Sequence, residues 1–131
     1  MEITTRVIRT WADENGIPNL TLAELDYRLL HALRAIYTDP FLREHLYLKG
    51  GTALNKVYIP NQGRLSVDLD FNAVGAREEI LEERTQFSQR VMEVLGDQDS
   101  DYDSSYRWRY DQATVYARYR RLTGIAQQRL K

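Results

Sequence analysis

One stretch of this chain limits what it can fold into more than any other. From Leu65 to Asn72 apolar and polar residues alternate without a break, with Leu65, Val67, Leu69 and Phe71 facing one way and Ser66, Asp68, Asp70 and Asn72 the other. A period of two marks a strand. Asp68 and Asp70 stand at i and i+2 of it, so both carboxylates project from the same face. Two carboxylates a few ångströms apart repel unless a cation lies between them. Mg²⁺ suits such a pair, because it takes one or two carboxylates together with phosphate oxygens. Alone, Asp-x-Asp also describes an ordinary solvated strand face.

A second motif precedes the strand. Leu46-Tyr47-Leu48 reads as a short buried strand, broken by Gly50-Gly51, and Thr52 to Tyr58 reads as a short helix. A glycine pair between a strand and a helix lets backbone approach a phosphate closely. The helix N-terminus then offers free N–H groups, and the Thr52 hydroxyl adds a donor. By itself this is also a common tight turn. In combination, a strand, a Gly-Gly-Thr turn, a helix and an Asp-x-Asp strand describe an anion cradle facing a divalent-metal clamp. Lys49 and Arg64 flank the two motifs and are candidates for phosphate contact; Arg64 is also a candidate partner for the metal-site carboxylates. Ser66 shares the face of the aspartates, as a phosphate-side or structural hydrogen-bonding group.

The remaining chain supplies a frame. Ile3, Val7, Ile8 and Trp11 recur at helical spacing until Gly16 and Pro18. Thr21 and Glu24 have the spacing of a capping box for a second helix, with Leu22, Leu25, Leu29, Leu33 and Ile36 as its apolar stripe and Asp39-Pro40 as its end. Phe41 to His45 is a short amphipathic piece. Beyond Gly75 a helix is predicted to about Leu95, with Ile80, Leu81, Phe87, Val91 and Leu95 inward. Gly96 to Ser104 is acidic and aperiodic, which predicts a mobile loop. A hairpin follows, with its turn over Asp111 to Thr114. One strand sets Tyr106, Trp108 and Tyr110 against Arg107 and Arg109, and the other sets Val115, Ala117 and Tyr119 against Tyr116, Arg118 and Arg120.

Lys49-Gly50-Gly51-Thr52-Ala53-Leu54 followed by Arg64-Leu65-Ser66-Val67-Asp68-Leu69-Asp70-Phe71 closely resembles the AbiEii/AbiGii-type abortive-infection toxin family, in the nucleotidyltransferase (DNA polymerase β) superfamily. The resemblance is specific over Leu48 to Phe71. It implies an α+β fold with a nucleotidyltransferase-like core, a mixed sheet with flanking helices, preceded here by a helical N-terminus and followed by the C-terminal β-hairpin. It implies one domain over 1–131, helical over 1–45 and core over 46–131, corresponding to the N-terminal part of a longer protein. Gly50, Gly51 and Thr52 would then lie at the phosphates of a nucleoside triphosphate, supported by Lys49, Arg64 and Ser66. Asp68 and Asp70 would be both the catalytic acids and the ligands of Mg²⁺ (or Mn²⁺). The implied reaction is transfer of a nucleotidyl group to a hydroxyl on tRNA or protein, in a toxin paired with a cognate antitoxin. Such sites use a third carboxylate on a later strand, and after residue 103 the only acid is Asp111. A binding or regulatory module that keeps the fold without the chemistry therefore remains an alternative.

Composition narrows the setting. A chain of 131 residues is one domain, and the absence of cysteine removes disulfides, thiolate zinc sites and thiol nucleophiles together. No apolar run approaches the roughly 20 residues of a membrane span and the N-terminus lacks the pattern of a signal peptide, so a cytoplasmic protein is expected. His31 and His45 have no ligand at metal spacing and read as structural. The net charge of −1 conceals a separation: 11 Lys/Arg against 18 Asp/Glu up to residue 103, then 7 against one. A basic end of this kind can attract a polyanion, so nucleic-acid binding by the arginine-rich strands is a third reading beside that of a solvated face.

Overall fold

The computed structural model describes residues 3–49, 69–73, 77–109, 112–120, 122 and 127–130; the side chains at 47–49, 70, 73, 77–84, 108, 112 and 127–130 are left aside. The chain opens with helix α1, Thr5–Asn15, capped by the Thr4 hydroxyl on the Val7 N–H at 3.2 Å. It closes at Gly16, whose φ of 63° is the left-handed conformation that glycine adopts without a Cβ penalty. Helix α2, Leu20–Thr38, is capped by Asn19, whose Oδ1 accepts from the N–H groups of Thr21 (2.9 Å) and Leu22 (3.1 Å). The Thr21/Glu24 capping box is thus not the start signal. Glu24 is fully buried and committed elsewhere, and Asn19 lies where an N-cap must lie. The predicted stripe is buried at Leu25, Leu29, Leu33 and Ile36, while Leu22, in the first turn, is 40% exposed.

Asp39 ends α2 and begins the short helix α3, Pro40–His45, with its Oδ2 accepting from the Leu42 N–H at 3.0 Å. Proline at the first helical position costs nothing there, since that N–H would have no partner in the helix. Strand β1, Leu46–Lys49, follows directly and pairs antiparallel with β2, Asp70–Ala73. Helix α4 spans Arg77–Gln98. The predicted short helix from Thr52 to Tyr58 lies outside the described residues, as does the Leu65 to Asp68 part of the alternating strand.

Three strands complete the fold: β3, Asp103–Arg109, β4, Gln112–Arg120, and β5, Gln127–Leu130, antiparallel in the order β3-β4-β5. The expected hairpin is therefore extended by a third strand, and its turn is shorter than predicted, because Arg109 pairs with Gln112 and only residues 110 and 111 lie between. All pairings among the described residues are antiparallel; the parallel component of a mixed sheet is not seen among them.

The expected mobile loop from Gly96 to Ser104 is instead a helix end and a tight turn. Helix α4 continues to Gln98, whose amide Nε2 donates to the His31 carbonyl at 2.8 Å. The Asp99 carboxylate accepts from the Asp101 N–H at 3.0 Å, and Tyr102 is buried before β3 begins. Acidic, aperiodic composition misled here because one of its acids, Asp99, is used in turn geometry and an ion pair, while Asp97, Asp101 and Asp103 are exposed.

The core is built in three parts. Leu25, Leu29, Ala32, Leu95, Tyr102, Ala117 and Tyr119 join α2 and α4 to the three-stranded sheet. Ile36, Leu42, Leu46, Phe87 and Val94 join α2, α3 and α4 to β1. Ile8, Ala12, Ile17 and Ala23 fasten α1 to the first half of α2.

Candidate functional site

The Lys-Gly-Gly-Thr and Asp-x-Asp motifs are far apart in sequence, and the β1–β2 ladder closes that distance. Its register is Leu46↔Ala73, Tyr47↔Asn72, Leu48↔Phe71 and Lys49↔Asp70. The residue that leads into Gly50-Gly51 is therefore paired with the second aspartate of the other motif. Adjacent strands lie about 4.8 Å apart, so the end of one motif and the end of the other share one edge of the ladder.

Packing fixes this register. On β1, Leu46 is buried, and α3 just before it is held by the Phe41 and Phe87 rings, stacked with centroids 5.3 Å apart. On the β2 side, Leu69 and Phe71 both pack against the cluster around Phe87, Leu69 also reaches the cluster of Leu29 and Tyr119, and the Tyr37 ring lies 6.2 Å from that of Phe71. Asn72 is exposed. The alternation read from sequence is therefore observed wherever it is described, with Asp70 between two packed apolar residues. A slip of one residue would turn Leu69 and Phe71 out of the core, which is why this ladder holds one register.

An ion pair between a part-exposed arginine and a buried carboxylate secures the approach to β1. Arg90 on α4 donates from Nε to Asp39 Oδ1 at 2.7 Å and from a terminal nitrogen to the same oxygen. The hydrogen bonds from Arg90, helped by the Leu42 N–H, outweigh burial and hold the Asp39 carboxyl below its usual value. Asp39 thus serves as cap, helix junction and anion at once.

A second buried group was not anticipated as a unit. Arg28, 3% exposed, donates to Glu24 Oε2 at 3.0 Å and to Asp99 Oδ2 at 2.9 Å. Its guanidinium carbon lies 4.0 Å from the Tyr119 ring centroid and 5.3 Å from that of Tyr102. The other Glu24 oxygen accepts from the Leu122 N–H at 2.9 Å. The i, i+4 spacing of Glu24 and Arg28 was the available signal, but it does not reveal burial. This group ties α2, the end of α4 and β4 together and is structural.

Of the expected site residues, Lys49 and Asp70 fall within the described backbone and are brought together. Gly50, Gly51, Thr52, Arg64, Ser66 and Asp68 lie outside it. His45 has its Nδ1 2.7 Å from the Phe41 carbonyl and His31 packs at 4.3 Å from the Tyr27 ring, so the expectation of structural roles fits their surroundings. Among the described residues no group of three metal-ligating side chains occurs, and no described helix is long and apolar enough to cross a membrane.

The family model described as nucleotidyl transferase AbiEii toxin, type IV toxin–antitoxin system, matches residues 31–131. The chain belongs to the AbiEii family. Both motifs fall inside the match, and so do β3, β4 and β5, so the C-terminal strands carry more of the resemblance than the sequence reading gave them. Helix α1 and the first half of α2 precede it. The chain is therefore a nucleotidyltransferase-like toxin domain of α+β fold. No curated protein and no solved structure matches it.

Proposed function

We propose that this AbiEii domain binds Mg²⁺ or Mn²⁺ together with a nucleoside triphosphate, for transfer of the nucleotidyl group to a hydroxyl on tRNA or protein, and that a cognate antitoxin restrains it. The backbone pairing of Lys49, the residue before Gly50 in sequence, with Asp70 is the observation that supports this reading. A carboxylate pair next to a glycine-rich turn and a lysine has the donor set that a metal-bound triphosphate needs.

Asp68 and Asp70 would hold the metal, which when bound supplies neutralisation of phosphate charge. The backbone of Gly50 and Gly51 and the Thr52 hydroxyl would hold the phosphates. Lys49 and Arg64 would offset the remaining charge, with Ser66 as a supporting hydrogen-bonding group. In the transfer the acceptor oxygen bonds to the α-phosphorus, the bond to pyrophosphate breaks, and the hydroxyl proton passes to a base. Positioning and electrostatics do most of this work.

One observation favours the second reading, a module that binds without turning over. Among the described strands after β2, the only acid is Asp103 at the very start of β3; β4 and β5 carry none, and Asp111 lies between β3 and β4 in sequence. Loss of a general base typically costs 10²–10⁴-fold, which sets the turnover expected of this chain well below that of a complete site.

One measurement tests the site that both readings share, and a second separates them. Mg²⁺ with a nucleoside triphosphate at a hundred times its Kd should stabilise the chain by about 2.7 kcal/mol, and Asp68→Asn with Asp70→Asn should remove that shift without lowering the ligand-free melting temperature. Equal shifts in wild type and double variant would rule out a metal site at these residues. Label transfer from triphosphate to acceptors in a cell extract, at ordinary enzymatic rates and lost on Asp68→Ala, would establish the enzyme over the module.

A further inference from the structure

The three-stranded sheet has two faces of opposite character. Ala117 and Tyr119 are buried and Val115 packs beside them, so one face is committed to α2 and α4. The opposite face carries the alternate residues: Arg107 and Arg109 on β3 and Arg118 and Arg120 on β4, all exposed. The half-buried Tyr116 stands between them in the pairing Ser105↔Tyr116, next to Asp103↔Arg118 and Arg107↔Thr114. Ser105, Tyr106, Arg107, Tyr116 and Arg118 line a shallow depression of about 380 Å³. On β5 the backbone register sets Arg129 opposite Arg118. The described acid on this face is Asp103.

A face meant only for solvation mixes both signs of charge. This one gathers cations while the acids of the chain lie almost wholly before residue 104. Arginines two apart on a strand are spaced by about 7 Å, and the next strand is about 4.8 Å away. Such a lattice of forked donors suits successive phosphates of an extended strand. An aromatic ring among them suits an unstacked base, which a duplex does not present.

We infer that the outward face of β3 and β4 docks a single-stranded nucleic-acid segment, with phosphates on Arg107, Arg118 and Arg120 and a base against Tyr116. The docking needs neither metal nor nucleotide and stands apart from the triphosphate reading.

The test is fluorescence anisotropy of a labelled single-stranded RNA of about a dozen nucleotides against the full chain without nucleotide, across a salt series. Replacing Arg107→Gln, Arg118→Gln and Arg120→Gln together should make the slope of log K against log salt shallower by about 2 and weaken binding on the order of fifty-fold at 0.15 M salt. A charge-matched variant, Arg6→Gln with Arg9→Gln and Arg34→Gln, removes exposed arginines of α1 and α2. It should stay within about twofold of wild type if the contacts are local rather than a net-charge effect. Unchanged circular dichroism melting verifies folding, and restoring Lys at the three sheet positions should recover most of the binding. Equal loss in both triple variants, absence of salt-dependent binding in wild type, or tighter binding of polyglutamate than of RNA would each overturn the inference. Intact RNA binding in Asp68→Asn with Asp70→Asn shows that the two sites fail or stand independently.

Discussion

The two buried arginine contacts show how much a single side chain carries here. Arg28 is the described cation that both Glu24 and Asp99 pair with. Removing the guanidinium while keeping the bulk, as Arg28→Met, leaves the buried Glu24 without its paired cation. Such breaks cost about 3–5 kcal/mol, so urea denaturation should show a loss of that size with an unchanged m-value. Gly96 gives the opposite sign. It lies in the last turns of α4, is exposed, and a Cβ there meets nothing within 4 Å. Gly96→Ala should stabilise by about 0.5–1 kcal/mol, because the unfolded chain loses freedom and the helix gains a better former.

Caps and junctions act at the scale of whole elements. Asn19 satisfies two of the first N–H groups of α2, so Asn19→Ala should lower stability by about 1 kcal/mol, read by chemical denaturation. A loss at Thr21→Ala as large as that at Asn19→Ala would restore the capping-box reading. The ladder of β1 and β2 depends on what flanks it. Asp39 fixes the entry to α3, Phe41 and Phe87 lock α3 on α4, and β1 follows without a loop. Disturbing that junction should therefore weaken any ligand bound near Lys49. Phe87→Ala should cost about 3–5 kcal/mol of stability and also reduce the nucleotide-dependent thermal shift.

The molecule as a whole should lose stability on the acid side in two steps. Burial, with the positive charge of Arg34, holds His31 below its usual value of 6.5. The unfolded chain then binds a proton that the folded chain resists, so this contribution is present above 6.5 and fades as pH falls below it. The second step belongs to Asp39 and Asp99. Burial opposes ionisation of Asp99, but Arg28 and the Asp101 N–H outweigh it; Arg90 does the same more directly for Asp39. Both are held below the ordinary 3.8, so their contribution is complete above that value and is lost as pH falls through the folded values. Melting temperatures between pH 7 and 2 should show both steps; His31→Gln should flatten the upper and Arg90→Gln reduce the lower.

The sequence alone determined the two motifs, the alternation where it is described at Leu69 to Asn72, the order of the described helices and the sign of charge at each end. All follow from local periodicity and residue chemistry, and the family match over residues 31–131 includes both motifs. It misjudged the start of α2, the turn between β3 and β4, and the segment from Gly96 to Ser104. The turn follows from the strand register; in the other two cases a polar residue had more than one use, and its tertiary partner decides which. Glu24 was read as a cap because its spacing allows it, yet it is buried against Arg28 and the Leu122 N–H. The acidic run after Gly96 suggests a mobile loop, yet Asp99 closes a turn and pairs with that same arginine. The pairing of Lys49 with Asp70 belongs to tertiary structure too. No period in the sequence encodes which residues of two distant strands face each other; the burial of Leu46, Leu69 and Phe71 in the core beside Phe87 sets that register.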